Sequence, residues 1–223
     1  MTEIRMEDVY VIIPAYNEEK HIKKVIEQTY QGGYHNIVVV SDGGKDNTVK
    51  VAQETKATVL EHIINLGKGC ALITGADYAV KQGAKILVFI DADGQHKPED
   101  IKRLLEKMKG VDIVYGSRKI DDKMPIVMRF GNWVINTVTL ILYGIKLKDT
   151  QSGFRSMTTT AYKKIKWNSN DYRVESEMIT KAAKQKLKYN EIEIETIYED
   201  DFKGTTVFDG IKIVLNLLKW RII

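Results

Sequence analysis

The first half of the chain repeats one rhythm: a short β-branched run, a turn, then apolar residues at helical spacing. Val9–Ile13 is an apolar run closed by Pro14, and Glu18–Tyr30 follows with Ile22, Val25 and Ile26 on one helical face. Ile37–Val40 predicts a second strand, Asn47–Thr55 a helix, Thr58–Leu60 a short strand and Gly67–Lys81 a further helix. Ile86–Ile90 is almost unbroken apolar, the pattern of a strand covered on both faces. Pro98 stands where a first helical turn begins, so Glu99–Met108 predicts a helix ended by Gly110, and Val111–Tyr115 another strand. Strands alternating with helices in this way predict an α/β fold: a mostly parallel, doubly wound sheet flanked by helices. Ligands on such sheets bind beyond the carboxyl ends of the strands, which directs attention to the loops after Ile13, Val40, Ile90 and Tyr115.

The second half breaks the rhythm. Met124–Tyr143 predicts a helix, Phe154–Met157 a strand, Glu175–Lys186 an amphipathic helix, Tyr189–Tyr198 an alternating strand and Val207–Ile223 a closing helix. No linker rich in Pro, Gly or Ser interrupts these elements, so residues 1–223 are expected to form one domain with a divergent second half. At 223 residues, 43% hydrophobic and 29% charged, the chain can bury a core without covalent staples. Its single cysteine, Cys70, excludes an internal disulfide and a cysteine-cluster zinc site. The 34 Lys and Arg against 30 Asp and Glu leave a net charge of +4, too weak to argue nucleic acid but compatible with anionic substrates or an anionic membrane surface. Met1–Asp8 has no apolar signal core, and no run reaches the ~20 apolar residues of a membrane span, so a cytoplasmic location is expected.

The most informative loop is Asp91-Ala92-Asp93-Gly94-Gln95-His96, directly after the apolar strand. Two carboxylates two residues apart at a strand end can turn toward one point, and their hard oxygens suit Mg²⁺ or Mn²⁺. Gln95 can add a neutral oxygen, while a solvated acidic turn is the alternative. Pro14, Tyr16 and Glu18 follow the first strand, Ser41-Asp42-Gly43-Gly44 the second, and Gly67-Lys68-Gly69 opens a helix. Singly, each is ordinary turn chemistry; together they fall where an open α/β sheet makes its crevice.

These four loops resemble family-2 glycosyltransferases with the nucleotide-diphospho-sugar (GT-A) fold, and within them the polyprenyl-phosphate (dolichyl-phosphate) sugar synthases. The likeness is strongest from Val9 to Phe154. It implies that residues 1–118 form the nucleotide-sugar half and 119–223 the acceptor half. Pro14, Tyr16 and Glu18 would line the nucleoside pocket, Val40 and Asp42 would contact base or ribose, Asp91, Ala92 and Asp93 would hold the diphosphate, and Lys68 would also bind the nucleotide sugar. Asp91, Asp93 and Gln95 would be the metal ligands. Gly116-Ser117-Arg118 and Arg129 resemble the family's grip on an acceptor phosphate, which makes Asp93 and Arg118 the expected catalytic residues. Ser41 stands where the family usually has an acid. In the C-terminal flap the usual Arg position reads Asp201, leaving Lys203 as the candidate cation.

The activity so implied is an inverting transfer of a sugar from a UDP- or GDP-sugar to a polyprenyl phosphate. A family member acting on a carbohydrate hydroxyl would need a base, for which Asp149 and Glu177 are the candidates; a non-catalytic sugar-nucleotide binder is the other alternative. A phosphatase reading of Asp91-Ala92-Asp93-Gly94 fails at Gln95, and a dinucleotide-binding reading of Gly67-Lys68-Gly69 fails at Leu72. Arg155, Glu175 and Glu177 fit structural roles as well as functional ones. The helices over Phe130–Ile145 and Val207–Ile223 each carry a narrow polar stripe, Asn132, Asn136, Thr139 and Tyr143 in one and Lys212, Asn216 and Lys219 in the other. Such helices can pack on the sheet, or lie in the cytoplasmic membrane surface as a peripheral anchor.

Overall fold

The computed structural model describes residues 4–119, 126–171, 173–197 and 207–222. The apolar runs form β1 (Val9–Ala15), β2 (Asn36–Asp42), β3 (Thr58–His62), β4 (Ile86–Phe89), β5 (Ile113–Arg118), β6 (Arg155–Thr158) and β7 (Tyr189–Ile194). They make one sheet in the order β3-β2-β1-β4-β6-β5-β7. All pairs are parallel except those of β6, which runs antiparallel to β4 and to β5. The helices are α1 (Ile22–Gln31), α2 (Thr48–Gln53), α3 (Lys68–Lys81), α4 (Asp100–Glu106), α5 (Ile126–Tyr143), α6 (Thr159–Ile165), α7 (Val174–Lys184) and α8 (Val207–Ile222).

Both sheet faces are covered, which is why the central strands show no polar alternation. Val11, Ile13, Val39 and Val88 pack with Ile22 and Ile26 of α1 and Ile101 and Leu104 of α4. Ile12, Leu87, Phe89 and Met157 face the other way, onto Leu72 and Ala76 of α3 and Met178 of α7. At Gly75 a Cβ would stand 2.6 Å from Ile12 Cγ2 and 3.1 Å from Val40 Cγ2, so glycine there lets α3 lie close on the sheet.

Three expectations are corrected. The first helix starts at Ile22 rather than Glu18, because residues 16–21 form a loop held by other partners: the Glu18 amide donates to Thr48 Oγ1 at 2.8 Å and the Glu19 amide to Asp46 Oδ2 at 3.0 Å. The fifth strand is shifted to Ile113–Arg118, placing Arg118 at its very end. Helix α6 was not visible as apolar periodicity; it is started by Thr158, whose hydroxyl caps the Ala161 amide at 3.0 Å. Met124 and Tyr198, the expected ends of two elements, lie outside the described residues, as does Lys203.

The antiparallel β6 sets the geometry of the crevice. Its first residue, Arg155, pairs with Phe89, the last residue of β4, and with Tyr115 of β5, while the Phe154 carbonyl before it accepts the Gly116 amide at 2.9 Å. The segment entering β6, Asp149–Phe154, is therefore delivered to the same edge as the loops of the parallel strands.

Candidate active site

The first two loops interlock. Asn17 has a positive φ of 55°, and its side-chain oxygen accepts the Lys45 amide at 2.8 Å. Glu19 Oε2 accepts from the Asn47 amide and side chain at 2.9 and 3.0 Å. Tyr16 is 47% exposed and Glu18 is buried beside it in sequence. Pro14 and Val40 are paired in register and buried. The Val40 side chain packs toward Gly75, so a ligand could meet Val40 only through main-chain atoms.

Asp42 ends β2 with three donors around a buried carboxylate. It accepts the Leu66 amide at 2.9 Å and the Gly67 amide at 2.7 Å, and pairs with His62 Nδ1 at 2.7 Å. His62 Nε2 in turn meets Thr74 Oγ1 at 2.9 Å. Asp42 thus fixes the turn leading into α3, a task its sequence context did not reveal. Ser41 beside it keeps a buried hydroxyl with no partner.

The turn presents Lys68 as the first residue of α3. The Lys68 ammonium lies 2.8 Å from Asp91 Oδ1 and 2.8 Å from Glu175 Oε1. Burial opposes its charge, but the two carboxylates raise it above the ordinary lysine range. Burial would likewise raise Asp91, yet Lys68 holds it below the usual carboxylate range. Gly153 closes this pair from the other side: a Cβ there would stand 2.6 Å from Asp91 Oδ2 and 3.0 Å from Lys68 Nζ.

Asp93 is different. Its one hydrogen bond among the described residues is from the Gln95 amide, at 3.0 Å. Burial, and then the neighbouring Asp91 charge, push its carboxyl above the ordinary range. A carboxylate in that state fits a divalent cation, whose charge would favour the ionised form. Among the described residues no three His, Cys, Asp or Glu side chains converge; an ion held by Asp91 and Asp93 would complete its shell with other oxygens, as Mg²⁺ commonly does. Gln95 is anchored by its main chain, its carbonyl accepting the Ile197 amide at 2.9 Å, and Ala92 is buried in the core. His96 was not singled out by the sequence reading. It is buried against Phe154, ring centroids 5.3 Å apart, with Nδ1 unpartnered, and burial lowers its pKa.

Arg118 projects from the end of β5 into a two-pronged pair with Asp149: Nε to Oδ2 at 2.6 Å and Nη2 to Oδ1 at 3.1 Å. Burial acts to raise Asp149, but the Arg118 charge and hydrogen bonds hold it below the ordinary range. Arg129 lies in the first turn of α5. Glu177 accepts the Asn168 and Ser169 amides at 3.0 and 2.7 Å and pairs with Lys181 at 2.9 Å. Arg155 is structural: buried, over the Tyr115 ring at 5.4 Å, and hydrogen-bonded to the Ser152 carbonyl.

The loop that Glu177 holds abuts the start of α3. The Gly69 amide donates to the Asn170 carbonyl at 2.8 Å, and Trp167 Nε1 to the Gly69 carbonyl at 2.8 Å. A Cβ at Gly67 or Gly69 would stand 2.1 or 1.9 Å from a carbonyl oxygen of that loop. Sequence reading noted Glu175 and Glu177 as an acidic helix start; their partners lie too far along the chain to be read from it.

Away from the crevice, α5 and α8 pack together through Ile135, Ile213 and Leu217, and Tyr143 donates to the Leu217 carbonyl at 2.7 Å. Phe130, Trp133, Ile141, Ile211, Leu215 and Ile222 remain exposed on them. Among the described residues no helix is long and apolar enough to cross a membrane.

Residues 10–169 match the model of Glycosyl transferase family 2. The chain is 37% identical over 237 residues to the UDP-N-acetylglucosamine–dolichyl-phosphate N-acetylglucosaminyltransferase of Methanococcus voltae, covering 94% of this chain and 94% of that protein. It is 32% identical to a dolichyl-phosphate beta-glucosyltransferase of Trichomonas vaginalis, over 95% of this chain and 72% of that one. Glucosyl-3-phosphoglycerate synthase from Mycobacterium tuberculosis, solved with Mn²⁺, UDP and phosphoglyceric acid, superposes with a TM-score of 0.76 over 96% of this chain and 78% of that chain, at 18% identity. At that identity the likeness shows a shared fold, in accord with the GT-A architecture that the sequence resemblance implies.

The Glu177 contacts give a pH dependence of defined sign. Burial would raise its carboxyl, but the Ser169, Lys181 and Asn168 contacts lower it in the folded state. A group depressed on folding contributes stability that is fully present above its unfolded pKa, about 4.3 for glutamate, and is lost as the pH falls through the lower folded value. Urea unfolding of wild type and Glu177→Gln is therefore expected to show a stability gap at neutral pH that closes on acidification below that range. A gap that is constant with pH would show that the carboxylate charge is not what holds the loop.

Proposed function

The chain belongs to glycosyl transferase family 2, and from that premise we propose that it transfers a sugar from a UDP- or GDP-sugar to a polyprenyl phosphate such as dolichyl phosphate, with inversion at the anomeric carbon. One observation carries the choice of acceptor. The two carboxylates that sequence reading offered as bases are committed elsewhere: Asp149 to Arg118, and Glu177 to two amides and Lys181. A sugar hydroxyl needs a base to take its proton. A phosphate monoester, with a second pKa near 6, is already largely ionised at neutral pH and needs only positioning.

In this reading Tyr16 and Glu18 line the nucleoside pocket with main-chain atoms of Pro14 and Val40, while Asp42 shapes its floor by holding the Leu66–Gly67 turn. Asp91 and Asp93, with Gln95 as a neutral donor, would hold Mg²⁺ or Mn²⁺. Such a cation supplies positive charge to a diphosphate leaving group. Lys68, paired with Asp91 and Glu175, donates to the diphosphate, with Ala92 offering main-chain atoms. Arg118, held in orientation by Asp149, aims its guanidinium at the acceptor phosphate, with Arg129 of the first turn of α5 as a second cation; a planar fork suits phosphate oxygens. Lys203, outside the described residues, is the candidate cation of a flap over the phosphates. The phosphate oxygen attacks the anomeric carbon as the bond to the nucleoside diphosphate breaks, so one displacement inverts that centre.

The exposed apolar side chains of α5 and α8, with Lys212 and Lys219 at their margin, dock the domain peripherally on the cytoplasmic face of a membrane. The lipid tail then stays in the bilayer while its phosphate reaches Arg118.

Screening UDP- and GDP-sugars against polyprenyl phosphate, with the product identified by mass, tests the activity. The wild type is expected to form a sugar–phosphate–lipid product, to lose turnover in excess chelator, and to lose roughly a hundredfold or more in Asp93→Ala with the fold retained, the scale of removing an electrostatic stabiliser of the leaving group. Full turnover in chelator would remove the metal from the reaction.

Arg118→Lys keeps the charge that Asp149 requires but loses the planar fork, and is expected to cut transfer far more than Glu177→Gln does. The reverse ranking in the same assay would move the acceptor to a hydroxyl.

Vesicle flotation tests the membrane face. The combined Ile211→Ser, Leu215→Ser and Ile222→Ser variant changes only exposed positions. It is expected to fold, to lose binding to anionic vesicles and to lose turnover of the long-chain acceptor. Undiminished flotation would take α8 out of membrane docking.

A further inference from the structure

A divalent cation that takes Asp91 meets a carboxylate already paired with an ammonium. Lys68 Nζ sits between Asp91 Oδ1 and Glu175 Oε1, 2.8 Å from each, with the lysine side chain 20% and the Glu175 side chain 5% exposed. In so little water two cations on one carboxylate repel strongly, so the ion and Lys68 compete for the charge of Asp91. The backbone around Lys68 is fixed. The Gly67 amide is held by Asp42, the Gly69 amide by the Asn170 carbonyl, and both glycines are packed against neighbouring backbone. Only the flexible four-carbon stem can move the ammonium. Glu175 is the carboxylate that can keep it, since among the described residues it has no other ion-pair partner.

We propose that Lys68 is an exchangeable counter-ion of the Asp91–Asp93 loop, and that Glu175 is the positioning residue that makes the exchange possible. When a divalent cation binds, Lys68 gives up Asp91, stays paired with Glu175, and turns its remaining donors toward the diphosphate. Without the Glu175 charge, Lys68 has Asp91 as its one ion-pair partner among the described residues, and the incoming cation must strip it bare. The inference rests on the reading that Asp91 and Asp93 hold the metal.

The test is direct binding of Mn²⁺, read from the electron paramagnetic resonance of the unbound ion, on substrate-free protein with folding checked by circular dichroism. Wild type, Glu175→Gln, Lys68→Met and the double variant form one cycle. Glu175→Gln is expected to bind Mn²⁺ about tenfold more weakly, the size of coupling typical of neighbouring charged residues. Lys68→Met is expected to bind more tightly than wild type, and adding Glu175→Gln to it is expected to change nothing further. A loss from Glu175→Gln that persists without Lys68 would make Glu175 a ligand or a background charge, and would overturn the proposal. Should Lys68→Met fail to fold, the double variant, which removes one charge of each sign, decides the matter. It should bind at least as tightly as wild type, and binding as weak as that of Glu175→Gln overturns the exchange. Glu175→Gln equal to wild type, with binding abolished in Asp93→Ala, overturns the exchange and leaves the metal reading standing. No Mn²⁺ binding by any variant overturns both.

Discussion

The ammonium of Lys68, shared between Asp91 and Glu175, is the contact around which the crevice is arranged. Its three residues come from the start of α3, the loop after β4 and the first turn of α7, elements that sequence order keeps far apart. Burying three charges is unfavourable unless each is compensated at close range, so the surrounding backbone must be held to a fraction of an ångström. The nearby glycines answer that demand. Gly153 leaves room over Asp91 and Lys68, while Gly67 and Gly69 allow the 168–170 loop to press its carbonyls onto the start of α3. Asp42 and Glu177 then act as paired clamps, one on the amides of the turn before α3 and the other on the amides of the loop against it.

The antiparallel strand β6 makes this convergence possible. In a purely parallel sheet the segment before a strand lies at the edge away from the ligand. Because β6 is reversed, the residues entering it arrive beside the ends of β4 and β5, so that Asp149 reaches Arg118 and Gly153 reaches Asp91. One change of strand direction thus brings second-half residues to the first-half crevice, where Arg118 gains a buried partner that fixes the plane of its guanidinium.

Much of this was legible in the chain. The unbroken apolar runs located β1, β2 and β4, which are covered on both faces, whereas β7 was read from its alternation and β5 two residues too early. The strand-end rule pointed to the loops that carry Asp42, Asp91, Asp93 and Arg118. What could not be read was which charge answers which. Arg118 and Asp149 are 31 residues apart, and only the reversal at β6 brings them together. The acids at 175 and 177 looked alike on a helical start, yet one faces a lysine of another element and the other caps a loop. His62 and His96 carried no local signal, since a lone histidine beside apolar residues is common in any core. Helix α6 was missed because its start is set by a threonine cap rather than by periodicity.

The partnering of the carboxylates gives the crevice its polarity. Asp42, Asp91, Asp149, Glu175 and Glu177 each meet a basic side chain at ion-pair distance, and several accept amides as well. Among the described residues Asp93 meets one amide, and burial and Asp91 push its carboxyl toward protonation. A group in that state gains most from an incoming cation, because the cation offsets both the desolvation and the repulsion that disfavour its charge. In the proposed reading a nucleoside diphosphate would bring negative charge to the same place, beside the Lys68 ammonium. Lys68 and Arg118 are each paired with a buried acid, Glu175 and Asp149, which limits where their charges can go. Preorganised charge of this kind, aimed where charge builds in a transition state, is what a displacement by an already ionised nucleophile requires.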